Sequence, residues 1–280
     1  MANIAVIGLC GASHFMKVDH FHKMGETLIA NSYEKEYGGK GMNQAVAAAR
    51  MGAKVSYLGA VGNDEDGLAL EKALKDEGIH ARLAVKNGHT TLAYILTDKS
   101  GENQVTEFSG AELTEEEVLS FEEEIKNCDF LLLQHEVPHS VNQKAAELAR
   151  KYKKRIILNP APIREIPKEL MESVFLITPN KQEAEGTDLT AFPHYIITQG
   201  NKGCCVDGKV NIPALKEEAV DTTGAGDTFC GTLAVCLAEG MSLEDAAGWA
   251  VTASGISVTR KGVFYAIPRR NEIERKMNYE

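Results

Sequence analysis

The stretch Asp221-Thr222-Thr223-Gly224-Ala225-Gly226-Asp227 runs straight into Thr228-Phe229-Cys230-Gly231-Thr232-Leu233-Ala234-Val235-Cys236-Leu237, and the join between the two decides how the chain is read. Phe229, Leu233, Cys236 and Leu237 repeat at helical spacing, which predicts a buried helix over 225–239. Two glycines and an alanine strip side chains from its start. Free backbone amides and the helix dipole then face outward together, which makes an anion site. Asp227 falls in the first turn beside that site, placed to take a proton from a hydroxyl next to a bound phosphate. Taken alone, the same residues also fit a plain capping aspartate after a tight turn.

Outward from this join, strands and helices alternate. Apolar runs at 4–7, 55–58, 130–134, 156–158, 175–178 and 195–198 read as buried strands. Helical patterns cover 41–51, 65–77, 140–152 and 243–259, the second closed by Gly78. This alternation predicts an α/β fold, a mostly parallel sheet with helices on both faces. Two segments break the rhythm. Residues 91–97 and 104–108 flank the turn-rich Asp98-Lys99-Ser100-Gly101-Glu102 and read as a hairpin. Residues 14–37 are strand-like around 15–18 and 28–34. Together the segments 14–37 and 90–109 predict a small second sheet used as a lid, because insertions carry function on a rigid scaffold. No linker or repeat divides the chain, so residues 1–280 read as a single domain.

Composition narrows the function. The 280 residues are 44% apolar and 25% charged, enough for a large core without metal or disulfide staples. Thirty basic against 40 acidic residues leave a net charge of −10, the wrong balance for a general nucleic-acid or anionic-membrane binder. A phosphate ligand must then be held by local dipoles and a few lysines. The start, Met-Ala-Asn-Ile-Ala-Val-Ile-Gly, has no basic region, so no signal peptide is expected. No run approaches the ~18 apolar residues of a membrane span. Cys10, Cys128, Cys204, Cys205, Cys230 and Cys236 form no C-x-x-C pair, which reads as reduced thiols in a cytoplasmic protein.

Some motifs imitate chemistry. His135-Glu136-Val137-Pro138-His139 matches the zinc pattern H-E-x-x-H, but that pattern needs one unbroken helix and Pro138 forbids it. Gly38-Gly39-Lys40-Gly41 lacks P-loop spacing, with Met42 where a hydroxyl would be needed. No G-x-G-x-x-G follows the first strand.

Other segments at predicted strand ends suit a ligand. Lys40 and Asn43 sit at a glycine-flanked helix start, fit to hydrogen-bond a polyhydroxy compound. Asn180 and Glu183 lie one turn apart after a strand, where open parallel sheets bind ligands. Thr198-Gln199-Gly200-Asn201-Lys202-Gly203 follows another strand and allows close backbone approach.

With these segments in view the chain resembles the ribokinase-like (PfkB-type) carbohydrate kinases, closest to the ribokinase subgroup. Gly38–Ala45 and Asp221–Asp227 look like the family's two signatures. Asn180-x-x-Glu183, Thr198-x-Gly200-x-x-Gly203, Val258-Thr259-Arg260-Lys261-Gly262, Gly25-Glu26-Thr27 and Asn159-Pro160-Ala161-Pro162 are similar to family segments too. The resemblance runs from the first strand to about Pro268. It implies a Rossmann-like sheet with a β-lid, and ATP- and magnesium-dependent phosphorylation of an alcohol. It also implies a homodimer formed through the lids.

Carried over residue by residue, the resemblance makes Asp227 the base and the amides of Gly224, Ala225 and Gly226 the anion hole. Gly39, Lys40, Gly41, Asn43 and Glu136 would contact the sugar, together with Gly11 and Ser13. Asn180 and Glu183 would organise the phosphates and a water-shelled magnesium ion. Thr198, Gly200, Gly203, Gly226 and Val251 would line the nucleotide site. A monovalent cation, potassium in character, would map to Asp221, Thr223, Ser257, Arg260, Gly262 and Ala266, although Ala266 stands where serine is common.

Three departures stand out. Gly11-Ala12-Ser13 replaces the usual Asn-x-Asp that holds sugar hydroxyls, which predicts that ribose is a poor substrate and a bulkier or differently oxidised sugar a better one. Residues 186–194 leave no room for a helix usual in the family. Val263-Phe264-Tyr265 is bulkier than the usual segment near the nucleotide. A nucleoside kinase is the rival activity, and a non-catalytic sugar- or nucleotide-binding regulator the rival class.

Overall fold

The computed structural model describes residues 1–278. Thirteen strands form among them: β1 (Asn3–Ile7), β2 (Gly11–Lys17), β3 (Ser32–Gly38), β4 (Lys54–Gly62), β5 (His80–Lys86), β6 (Thr91–Thr97), β7 (Asn103–Phe108), β8 (Phe130–Gln134), β9 (Arg155–Asn159), β10 (Val174–Ile177), β11 (His194–Thr198), β12 (Cys204–Val206) and β13 (Val210–Ile212). The helices are α1 (Lys40–Arg50), α2 (Glu65–Asp76), α3 (Glu115–Ser120), α4 (Glu122–Asn127), α5 (His139–Lys151), α6 (Lys168–Met171), α7 (Lys181–Glu185), α8 (Ala225–Ala238), α9 (Leu243–Ser257) and α10 (Arg270–Asn278).

Nine strands make the main sheet in the order β13-β12-β11-β10-β9-β8-β1-β4-β5. From β11 to β5 every pairing is parallel, and only the β12 and β13 edge is antiparallel. Successive side chains of a strand point to opposite faces, and the core obeys this. Ile4 and Val6 join one buried cluster with Met42, Leu70, Phe229 and Leu233, from α1, α2 and α8. Ala5 and Ile7 join the other with Val118, Phe121, Val141 and Leu148, from the α3–α5 side. Burial on both faces explains why the central strands read as continuous apolar runs.

The small sheet has the order β3-β2-β6-β7. β2 pairs antiparallel with β3 and parallel with β6, and β6 and β7 form the expected hairpin. The strand expected at 28–34 lies instead at Ser32–Gly38, where tyrosines and charges alternate and no apolar run marks it. Between α7 and β11 only a single 3-10 turn, Leu189–Ala191, is present.

Small residues fix how α8 meets α1. A Cβ on Gly231 would lie 2.4 Å from the Gln44 carbonyl and 2.6 Å from the Ala47 side chain. One turn earlier, this contact sets Asp227 beside Asn43 and Gln44. Gly8 and Gly41 play the same part where α1 meets β1: a Cβ on Gly41 would lie 2.6 Å from the Gly8 Cα.

Candidate active site

Two clefts meet at the start of α8. Gly224 there is left-handed, with φ 73°, and a Cβ on it would collide with Val263 at 2.3 Å. First-turn amides of a helix lack intrahelical acceptors, so Gly226 and Asp227 present theirs to the junction. Ala225 differs from expectation: its amide closes the turn onto the Thr222 carbonyl at 3.3 Å. Gly226 borders open space, since a Cβ added to it meets nothing within 4 Å.

Asp227 is 5% exposed and held from α1. Asn43 Nδ2 donates to its Oδ2 at 3.0 Å, and Gln44 Nε2 donates to its Oδ1 at 3.2 Å. Gln134 Nε2 in turn donates to Gln44 Oε1 at 2.7 Å, and Asn142 Nδ2 to the Gln134 carbonyl at 2.7 Å. This relay runs from α5 through β8 and α1 to the carboxylate and locks its orientation. Gln134 carries no motif, and Gln44 lies within the Gly38–Ala45 segment but is not among the site residues expected from the sequence. Asn43 Oδ1 is buried without a protein partner, so it fits a hydroxyl donated by a ligand.

The smaller cleft, of about 350 Å³, is bounded by Gly11, Ser13, Gly39, Lys40, Asn43 and Glu136. The Lys40 amide donates to Glu136 Oε2 at 2.7 Å. Burial pushes the Glu136 carboxyl up to about 7, with the Lys40 charge pulling the other way. Asp227, and then Glu136, raise the Lys40 ammonium above its ordinary value. Gly41 is a correction: it does not reach the cleft but is buried against the backbone of Gly8 and Leu9. Gly11 has a structural reason too, because a Cβ there would sit 2.6 Å from the Thr91 carbonyl across the β2–β6 pairing. Val263 also lines this smaller cleft, while Phe264 packs over Arg50 and Tyr265 is exposed, so that bulky segment does not crowd the larger cleft.

The larger cleft, of about 480 Å³, takes in Asn180, Glu183, Thr198, Gly200, Gly203 and Val251. Leu215 and Gly255, unflagged by any sequence pattern, line it as well. Asn180 caps α7: the Glu183 amide donates to Asn180 Oδ1 and the Asn180 amide to Glu183 Oε2, both at 2.9 Å. Lys40, Gly224 and Asp227 line both clefts.

Behind the junction, Asp221 takes the Thr223 amide and hydroxyl at 3.0 and 2.7 Å, and the Gly262 amide at 3.2 Å. The Arg260 amide donates to the Ser257 carbonyl at 3.0 Å, and Arg260 Nη1 to the Ala266 carbonyl at 3.4 Å. These contacts tie Asp221 to Thr223 and Gly262, and Arg260 to Ser257 and Ala266, with the Arg260 guanidinium on the Ala266 carbonyl. Pro138 is the N-cap of α5 and His135 precedes it, so the two histidines share no helix. Among the described residues no three His, Cys, Asp or Glu side chains are grouped to hold a metal.

Comparison with known proteins agrees with this geometry. The family model described as pfkB family carbohydrate kinase matches residues 1–270. A ribokinase of Haemophilus influenzae is 38% identical, with 96% of each chain covered. The crystal structure of a Thermotoga maritima ribokinase superposes with TM-score 0.90 at 33% identity, over 99% of this chain and 100% of that one. An Arabidopsis thaliana ribokinase solved with ribose and ATP superposes with TM-score 0.88 at 26% identity, each chain fully covered. With a capped carboxylate between two clefts, and a family match running the length of the fold, this chain belongs to the pfkB family of carbohydrate kinases and is an ATP-dependent phosphotransferase acting on a sugar hydroxyl.

Proposed function

We propose that the chain phosphorylates ribose, with the sugar in the smaller cleft, ATP in the larger one and Asp227 as base between them. The observation that carries this is Asp227 itself: buried, fixed by two amides, and shared by both clefts. The sugar hydroxyl gives its proton to Asp227 as its oxygen attacks the terminal phosphorus of ATP; the bond from that phosphorus to the bridging oxygen breaks, and ADP leaves from the larger cleft. The Gly224, Gly226 and Asp227 amides and the Lys40 ammonium balance the charge that spreads over the moving phosphoryl group. Such transfers depend on positioning and electrostatics more than on covalent chemistry. Gly39, Asn43 and Glu136 hold the sugar, and Thr198, Gly200, Gly203 and Val251 the nucleotide.

Magnesium fits the oxygen donors of Glu183 and Asn180, which would hold it through water, and it supplies charge neutralisation on the phosphates. A monovalent cation fits the Asp221, Thr223, Ser257, Arg260, Gly262 and Ala266 neighbourhood. A homodimer through the outer face of the small sheet is supported by Tyr33, Tyr94 and Phe108, each at least 41% exposed there. Ribose replaces the bulkier sugar expected from Gly11 and Ser13 because ribokinases of Haemophilus influenzae and Bacillus subtilis are 38% and 36% identical to this chain.

The test is an ATP-consumption assay over ribose, other pentoses, hexoses and nucleosides, in the wild type and in Asp227→Asn. A positioned base contributes ~10²–10⁴-fold, so the variant should lose that much kcat while melting normally. Activity within threefold of wild type removes Asp227 from this role, and a clear preference for a nucleoside replaces ribose as substrate.

A further inference from the structure

The cleft-facing side of the small sheet holds one row that crosses all four strands. Glu36 of β3 stands opposite Ser13 of β2, Ser13 opposite Ala93 of β6, and Ala93 opposite Glu107 of β7. All four line the smaller cleft. Opposed residues in neighbouring strands share a face, so the row is two small residues with a carboxylate at each end. Three strand spacings of about 4.8 Å put the glutamate backbones about 14 Å apart. Neither carboxylate serves the other, and a ligand resting on Ser13 and Ala93 lies between them.

The two ends are not equivalent. Glu36 is already used: the Val263 amide donates to its Oε2 at 2.8 Å. Glu107 has only a long contact from the Ser109 hydroxyl, 3.5 Å, and is exposed toward the cleft. The other polar side chains on this face have little to offer. Ser13 carries one short hydroxyl. Thr91 Oγ1 accepts the Gly110 amide at 3.0 Å, and Asn103 Oδ1 accepts the Thr97 hydroxyl at 2.6 Å. Glu107 is therefore the strong acceptor this face keeps in reserve. It shares the cleft with Glu136, Asp227 and the single ammonium of Lys40, a field that repels anions.

We propose that Glu107 is a specificity-determining residue that reaches across the row from β7, accepts hydroxyls of the bound sugar in place of a carboxylate at position 13, and turns away sugars that already carry a phosphate or carboxylate. This rests on the smaller cleft being the sugar site. A carboxylate accepts two hydroxyls at once, and charged acceptors make the stronger hydrogen bonds. Removing it leaves those hydroxyls without a partner, which costs affinity far more than it alters the reacting end.

The experiment compares wild type, Glu107→Gln and Glu107→Ala. Steady-state kinetics are run on ribose and on a sugar acid. Ribose is also titrated calorimetrically in the presence of a non-hydrolysable ATP analogue. Expected for Glu107→Ala is a ribose KM raised 10–100-fold, with kcat and the ATP KM within threefold. Glu107→Gln, which keeps one acceptor oxygen, should fall between the two. Both variants should narrow the preference for ribose over the sugar acid at least fivefold. A ribose KM and a sugar-acid preference both within twofold of wild type in each variant overturn the proposal while leaving the kinase assignment standing. A wild type that neither binds nor phosphorylates any sugar overturns both.

Discussion

Gly226 separates stability from activity at a single atom. Its φ is not positive, and an added Cβ meets open space, so alanine suits the helix better by about 1 kcal/mol. Under the proposed function that same Cβ would project toward the transferring phosphoryl group. Gly226→Ala should therefore melt no lower than wild type and yet lose at least tenfold in kcat/KM for ATP, read by calorimetry and kinetics on one preparation. Equal activity would place the phosphates elsewhere. Glu136 gives a pH signature. Its carboxyl lies near 7 in the fold against an ordinary 4.5, so the folded state holds an extra proton between those values. The stability tied to it is complete below 4.5 and is lost as pH rises through 7. The charged form is the better acceptor, so the sugar KM should drop as pH rises from 6 to 8. In Glu136→Gln that drop should flatten, and the wild type's decline in melting temperature between pH 4.5 and 7 should be lost. At this scale the buried carboxylate at the start of α8 was legible, because glycines before an apolar helix leave a clear pattern. Its holders Gln44 and Gln134 were not, since hydrogen bonds between residues 90 positions apart leave no trace in spacing.

Among the elements, α1 is hemmed in on two sides, by Gly231 of α8 and by Gly8 after β1. Gly41 faces the Gly8 backbone at a distance no Cβ tolerates. Gly41→Ala should push the helix off β1 and cost ~1–3 kcal/mol as overpacking does, visible as a lower melting temperature and denaturation midpoint. It should also reduce activity by moving Asn43 and Gln44 away from Asp227. A variant as stable as wild type would show that α1 has slack. Legibility of elements followed burial. The central strands and α1, α2, α5, α8 and α9 were readable within a few residues because their apolar periods are complete. β5 is an edge strand of alternating exposure, His80–Lys86, with charges at its turns, and β12 and β13 have three residues each. Such pieces exist through their pairing partners, which a local pattern does not contain. The same applies to β3, whose register is fixed by β2 from Gly11↔Gly38 to Lys17↔Ser32.

For the whole molecule, the decisive feature is the wall that Lys40, Gly224 and Asp227 give to both clefts. A ligand on one side settles the Lys40 charge and the Asp227 carboxylate for the ligand on the other. Binding free energies must then be reciprocal: the factor by which ATP tightens sugar equals the factor by which sugar tightens ATP. Couplings of this kind usually run from about 5- to 150-fold. Calorimetric titrations of a non-hydrolysable ATP analogue with and without ribose should show a factor in that range, and a factor of one would mean the common wall transmits nothing. The economy this confers concerns the times when no sugar is present. With a coupling factor above one the chain would hold its nucleotide loosely at such times, so the phosphoryl group would spend little time within reach of water and the fuel would be kept until there is something to label with it.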